Sequence, residues 1–219
     1  MTAGSTRNAR SDARHNRAHV VDVARATFVA QGLGVTMREI ARQAGLGVAT
    51  VYRHFPTRED LITAVFAEQV AACSAKVADA VADPDPWRGI TAIVDEICTR
   101  HAYDPGFTAV LLGYGATTNI FATERADNVR SIAALFERAR REHVLRPDLT
   151  VDDVRLVLSA TSAVFAPSPA QALVEVRRLA ALLLQGMRAH PTDPPEPMPA
   201  RPARRRAATG PSKTSTLPG

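Results

Sequence analysis

Between Thr36 and Phe55 the chain writes two short amphipathic helices with a single glycine turn between them, and few folds accommodate that pattern. Thr36 opens the first as a capping box with Glu39, its hydroxyl accepting an early backbone N–H while the carboxylate returns to the cap residue. Met37, Ile40, Ala41 and Ala44 follow at helical spacing, and Gly45 supplies the left-handed stop. Three residues later Val48, Val51 and Phe55 begin a second apolar stripe, which Pro56 closes. About twenty residues thus hold helix, turn and helix, an arrangement that leaves the second helix free to enter a DNA major groove. Ile40, Ala41, Ala44, Val51 and Phe55 are expected to lock the two together, with Phe28 beneath them.

The rest of the chain keeps the same period. Val20, Val21, Ala24 and Phe28 mark a preceding helix that ends at Gln31–Gly34. Thr57 caps a helix whose apolar side runs from Leu61 and Ile62 through Cys73 and Val77 to about Val81. Residues 83–86 form a proline turn, and Ile90, Ile93, Val94 and Ile97 then give a fifth helix, ending near Asp104–Gly106. Residues 107–118 are apolar but broken by Gly113 and Gly115, and no element is assigned to them. A longer helix through Val129, Ile132, Ala133 and Phe136 ends near His143; another starts at Thr150, and the last follows Ala166–Pro169. Strand-like alternation is nowhere sustained, so the expected fold is all-α: an N-terminal three-helix bundle with a helix-turn-helix, and a larger C-terminal helical domain. On the last helix Leu173, Val176, Ala180, Leu183 and Met187 form one apolar seam and Leu179 and Leu182 a second, which predicts burial on two sides, one of them against another subunit.

Charge divides the 219 residues further. Residues 1–60 carry a net +4, residues 61–189 a net −2 and residues 190–219 a net +3, so the front end faces a polyanion. The expected organisation is a flexible basic arm over 1–15, the DNA-binding domain over 16–60, the regulatory and dimerisation domain over 61–189, and a disordered tail over 190–219 containing eight prolines and Arg204–Arg206. Arg7, Arg10, Arg14 and Arg17 are either a solvated arm or a reach into a flanking minor groove. Cys73 and Cys98 lack metal or disulfide spacing and fit buried, inert thiols in a reducing cytoplasm. His15 and His19 stand four apart without a Glu between them, and no metal or cofactor is expected. No apolar run approaches the ~18 residues of a membrane span, and no membrane partner is expected. Neither a nucleophile elbow nor a phosphate loop is present, which argues against an enzyme.

The segment VTMREIARQAGLGVATVYRHFPTREDLITAVF, residues 35–66, resembles the tetracycline-repressor (TetR) family of bacterial regulators: T-x-x-x-I-A-x-x-A-G, then T-x-Y-x-H-F, then a short basic helix start. The resemblance spans roughly residues 15–66 and implies a cytoplasmic homodimer that binds a double-stranded DNA operator and is released from it by a small-molecule effector. It also implies phosphate contacts for Tyr52, His54 and Arg58, Arg58 standing where the family usually has Lys. Each of these side chains could instead be packed or simply solvated, and Thr36 and Arg38 are further phosphate candidates. Base reading falls to the first turn and exposed face of the second helix, Gly47, Val48, Ala49, Thr50 and Arg53. The family often has Ser at the position of Gly47 and Gly at that of Ala49; here Gly47 lacks a capping hydroxyl. With so few hydrogen-bonding groups on that helix, specificity is expected to draw on thymine methyl contacts and DNA shape.

For the effector, the middle helices offer Trp87, His101, Tyr103, Phe107, Tyr114, Phe121 and Phe165, either as pocket lining or as plain core. The competing function is an architectural protein that binds DNA without sequence preference through its basic arms.

Overall fold

Capping side chains set most helix boundaries. The computed structural model describes residues 3–113, 117, 119–162, 164 and 166–190, and among these it forms nine α-helices and no sheet. They are α1 (Ala3–Gln31), α2 (Met37–Gln43), α3 (Val48–His54), α4 (Arg58–Ala82), α5 (Pro86–Tyr103), α6 (Pro105–Leu112), α7 (Ala122–Arg141), α8 (Val151–Ser162) and α9 (Pro169–Met187). The complete capping box sits at α4, where Thr57 Oγ1 accepts the Asp60 N–H at 3.0 Å and Asp60 Oδ2 accepts the Thr57 N–H at 2.9 Å. At α2 only half of the expected box forms. Thr36 Oγ1 accepts the Glu39 N–H at 3.2 Å, while the Glu39 carboxylate turns to Arg42 and Gln43, whose charged and amide donors outbid the cap.

Two expectations about the chain's ends and middle need correction. The segment expected as a flexible arm continues α1 from Ala3, because extending a helix already nucleated by the packed stretch Val20–Phe28 costs little per residue. The unassigned apolar stretch starts with α6. Asp104 closes α5 and opens α6, its carboxylate accepting the Phe107 N–H at 2.9 Å and the Gln69 side-chain amide of α4 at 3.1 Å. The tail after His190 lies outside the described residues.

The apolar side chains collect into two cores. The first holds Val20, Ala24 and Phe28 of α1, Ile40 and Ala41 of α2, Val51 of α3 and Phe55, and is completed by Phe66 and Val70 of α4 and Phe107 and Val110 of α6. Phe66 stacks on Phe28 at 6.1 Å between ring centroids and meets Phe107 at 6.1 Å on its other side. The boundary expected at residue 60 therefore cuts through the start of α4, and residues 16–60 do not close their own core. The second core joins Val77 and Ala80 of α4 to Ile90 and Ile97 of α5, Leu135 and Phe136 of α7 and Val176 of α9.

By length and composition α4 would pass for a membrane span, against expectation. Its apolar face is instead shared between the two cores, with Leu61, Ile62, Val65 and Phe66 fully buried in the first. Both cysteines are free and buried, and burial pushes the Cys98 thiol up to about 12, so it is no nucleophile at neutral pH.

Where α5 crosses α4, Gly89 is so close that an added Cβ would lie 2.4 Å from the Ala80 carbonyl oxygen. Gly89→Ala must separate two backbones, and we expect it to cost about 1–3 kcal/mol, read as a lower Tm in a circular-dichroism melt.

Candidate nucleic-acid interface and effector cavity

The helix-turn-helix is built from local rules. α2 ends in a Schellman motif: Gly45, at φ +65°, donates to Arg42 O at 3.2 Å and Leu46 N donates to Ala41 O at 3.0 Å, while the Leu46 side chain packs against the first core. Gly47, in extended conformation, precedes α3 without a side-chain cap. Ile40, Ala41, Ala44, Val51, Phe55 and Phe28 are all buried, as the stripe requires.

The outer face of α3 presents Val48, Ala49, Tyr52 and Arg53, with Thr50 half-buried and its Oγ1 accepting from Arg53 Nη2 at 3.0 Å. Tyr52 is 47% exposed, more open than a ring tucked beside the core. His54 is half-buried, its ring 6.5 Å from that of Phe55. Arg58, at the start of α4, lies beside the start of α2, with its Nε 3.4 Å from Val35 O; Thr36 and Arg38 are exposed on the same end of α2. The structure thus brings Thr36, Arg38 and Arg58 together at one end of the unit and the α3 residues along its outer face. Arg17 adds a guanidinium 4.9 Å from the Phe55 ring centre, on the exposed side of α1. Arg42 pairs with Glu39 at the surface and with Gln43 pulls that carboxyl down to about 2. His19, one of the spaced histidines, bonds through Nε2 to Ala44 O at 3.1 Å.

The described residues among those expected as effector lining take several different places. Phe107 is fully buried in the first core, Phe121 packs against it, and His101 is buried with its Nδ1 3.1 Å from Thr108 Oγ1. Tyr103 is 51% exposed, and Trp87 lies under the Arg188 guanidinium at 4.5 Å. Tyr114 and Phe165 lie outside the described residues. Large rings fill space, so they mark where a core is full.

A cavity of about 110 Å³ opens instead between α4, α5, α6, α7 and α8, with Val77, Ile97, Leu112 and Ile132 among its walls and Arg125, Asn128 and Arg155 as its polar side chains. Arg125, Asn128, Val129 and Ile132 fall at i, i+3, i+4 and i+7 on α7. Two polar groups extending the apolar stripe of that helix were the signal available in the sequence.

The α9 seam divides differently from the expectation. Val176, Ala180 and Met187 are buried within the protomer, where α9 lies mainly on α5, so they are not interface residues. Leu173, Leu179 and Leu183 stay half-exposed, Leu182 is 56% exposed and Leu156 of α8 is 67% exposed.

Comparison with known proteins follows the same division. A family model described as "Bacterial regulatory proteins, tetR family" matches residues 20–65, and one described as "Transcriptional regulator SbtR-like, C-terminal domain" matches residues 85–189. An HTH-type transcriptional regulator of Staphylococcus aureus (strain USA300) is 38% identical over 53 residues, 24% of this chain and 29% of that protein, so the chain matches less than a third of this curated relative. Among solved structures, a TetR transcription regulatory protein from Mycobacterium vanbaalenii is 31% identical, covering 82% of this chain and 98% of that one, with a TM-score of 0.48. CprB from Streptomyces coelicolor, solved in complex with its biological operator sequence, is 21% identical, covering 80% of this chain and 89% of that one, with a TM-score of 0.58.

The turn between α2 and α3 provides a clean test of its geometry. A Cβ at Gly45 would meet nothing within 4 Å, so Gly45→Ala pays only for its left-handed backbone. We expect a loss of about 1–2 kcal/mol in chemical denaturation, with Gly45→Asn recovering much of it because Asn tolerates that region.

Proposed function

The chain belongs to the TetR family of bacterial regulatory proteins, and on that premise we propose that it is a homodimeric repressor that reads a near-palindromic operator with α3 and releases it when a small molecule fills the cavity. The observation that carries this reading is the double membership of α6. Phe107 and Val110 belong to the core that holds α3, while Leu111 and Leu112 line the cavity. A ligand that repositions α6 therefore acts on the core that orients the recognition helix. Only a ligand with different affinity for two arrangements moves the equilibrium between them.

In this reading Tyr52, His54 and Arg58 hold phosphates, with Thr36 and Arg38 beside them, and Gly47, Val48, Ala49, Thr50 and Arg53 meet base edges. The bond between Arg53 and Thr50 pre-orders the Arg53 guanidinium along the helix. A two-fold pairing through the open faces of α8 and α9, with Leu156 and Leu182 at its centre and Leu173, Leu179 and Leu183 around them, places two heads on one duplex. Their recognition helices then sit about one DNA turn, ~34–36 Å, apart, so a small tilt prevents simultaneous docking. Such a regulator works in the cytoplasm, and family membership points to regulation rather than turnover.

Selection from random duplexes, followed by anisotropy titration of the winner at several salt concentrations, tests the reading. One inverted repeat is expected; equal affinity across sequences would instead assign binding to the basic segments of an architectural protein. With the selected duplex, Arg58→Ala should weaken binding to every sequence and flatten the salt slope by about one. Thr50→Ala should change the preferred sequence while leaving the salt slope alone.

A further inference from the structure

The face of α1 that enters the core changes character toward its N-terminus. Ala24 and Phe28 are fully buried, and Val21 packs against the first core. Seven residues before Val21 and Ala24 stand Arg14 and Arg17, and seven before those stand Arg7 and Arg10. Seven residues make two helical turns to within about 20°, so the four arginines continue the core-facing stripe of α1 beyond the packed stretch. Their spacing keeps them on one side of the helix over a rise of about 15 Å. Asp12 is the acid of residues 3–17, and it stands two or five positions from each arginine, on the opposite side. Of residues 12–19 all but the half-buried Asn16 are exposed, whereas Val20 is fully buried. Arg17 fixes where the stripe meets the head: its guanidinium lies 4.9 Å from the ring centre of Phe55, the residue that closes α3. Two residues on, His19 Nε2 lies 3.1 Å from Ala44 O at the end of α2. This turn of α1 is therefore held against the ends of both helices of the helix-turn-helix.

We infer that the stripe is a second DNA-contact surface: with α3 in the major groove, the start of α1 lies along the duplex as a helix, and Arg7, Arg10, Arg14 and Arg17 bind the backbone phosphates bordering that groove. The place of the stripe beside α3 rests on the docking proposed above; its affinity for phosphate does not. A helix about 10–12 Å across does not fit a minor groove ~6 Å wide, so the arginines meet phosphates and not base edges. Such contacts add affinity and fix orientation without reading sequence. Surface contacts that these arginines make within the protein are no obstacle, because an exposed ion pair is worth at most about 1 kcal/mol and exchanges for a phosphate with release of counterions. A lipid surface does not fit, since the apolar residues of 3–17 are alanines and an interfacial helix needs a large apolar face.

Anisotropy titration of the full-length protein at several salt concentrations, on the selected duplex and on a random-sequence duplex, tests the assignment. Arg7→Gln, Arg10→Gln and Arg14→Gln together keep helix propensity. That triple variant should weaken binding to every sequence and flatten the salt slope by about two to three per subunit, with the preferred repeat and the melting curve unchanged. Ala13→Pro keeps every charge but breaks the helix ahead of the packed stretch; it should flatten the slope by about two, as Arg7 and Arg10 leave the stripe. An unchanged slope in the triple variant overturns the contact. So do an altered preferred sequence in that variant, which would make the arginines base readers, and wild-type binding by Ala13→Pro, which would make them a flexible arm. If selection yields no inverted repeat but the triple variant still flattens the slope, the phosphate surface stands and the operator reading falls. An inverted repeat with an unchanged slope does the reverse.

Discussion

Phe66 packs against both Phe28 and Phe107, and the architecture depends on that cluster of three rings. The segment from α1 to α3 is too short to bury a self-sufficient core, since so small a unit keeps too much of its surface in water. It borrows Phe66 from α4 and Phe107 from α6, and both are fully buried. The direction in which α3 points is consequently a property of the whole chain. α4 makes the dependence rigid, because one continuous helix carries Leu61–Phe66 in the first core and Val77 and Ala80 in the second.

Features determined within four or five residues were legible in the sequence. The left-handed stop at Gly45, the Thr57 cap and the proline turn before α5 each depend on local bonds, and each stands where its residues put it. α6 was not legible: eight residues make about two turns, and a segment apolar on every side has no periodicity to read. The apolar character of α9 was readable, but which seam faced inward depended on α5, which covers Val176 and Ala180. The cavity was the least legible feature, because a void is the complement of packing. The aromatic residues of the middle helices are not among the walls of this cavity in the described residues, and the arginines that line it look in sequence like ordinary surface charge.

Charge is arranged differently in the two halves. In the head Arg17, Arg38 and Arg53 are exposed, whereas Arg25 and Arg58 are half-buried, Arg25 donating through Nη2 to Val65 O at 2.9 Å. Arg42 pairs with Glu39 at the surface, while Arg17, Arg38, Arg53 and Arg58 surround α3. In the body, Arg125 and Arg155 border the cavity and bond to backbone carbonyls of α6.

In the function proposed above, the two sites communicate through α6. Moving a two-state population from mostly docked to mostly released requires a differential affinity of about 5.5 kcal/mol. Very small ligands reach up to ~1.5 kcal/mol per heavy atom, so even a small ligand carries enough binding energy if much of it depends on which arrangement α6 adopts. The contacts of α6 favour that dependence. Its C-terminal carbonyls bond to Arg125 and Arg155, and its N-terminal cap bonds to Gln69 of α4. In that reading, a ligand in the cavity that shifts either guanidinium disturbs the bonds holding the far end of α6. Phe107, on the same short helix, passes any resulting shift into the ring stack beneath the recognition helix. Because a packed core resists gradual deformation, a displacement there favours a second discrete arrangement of the head over a continuous drift.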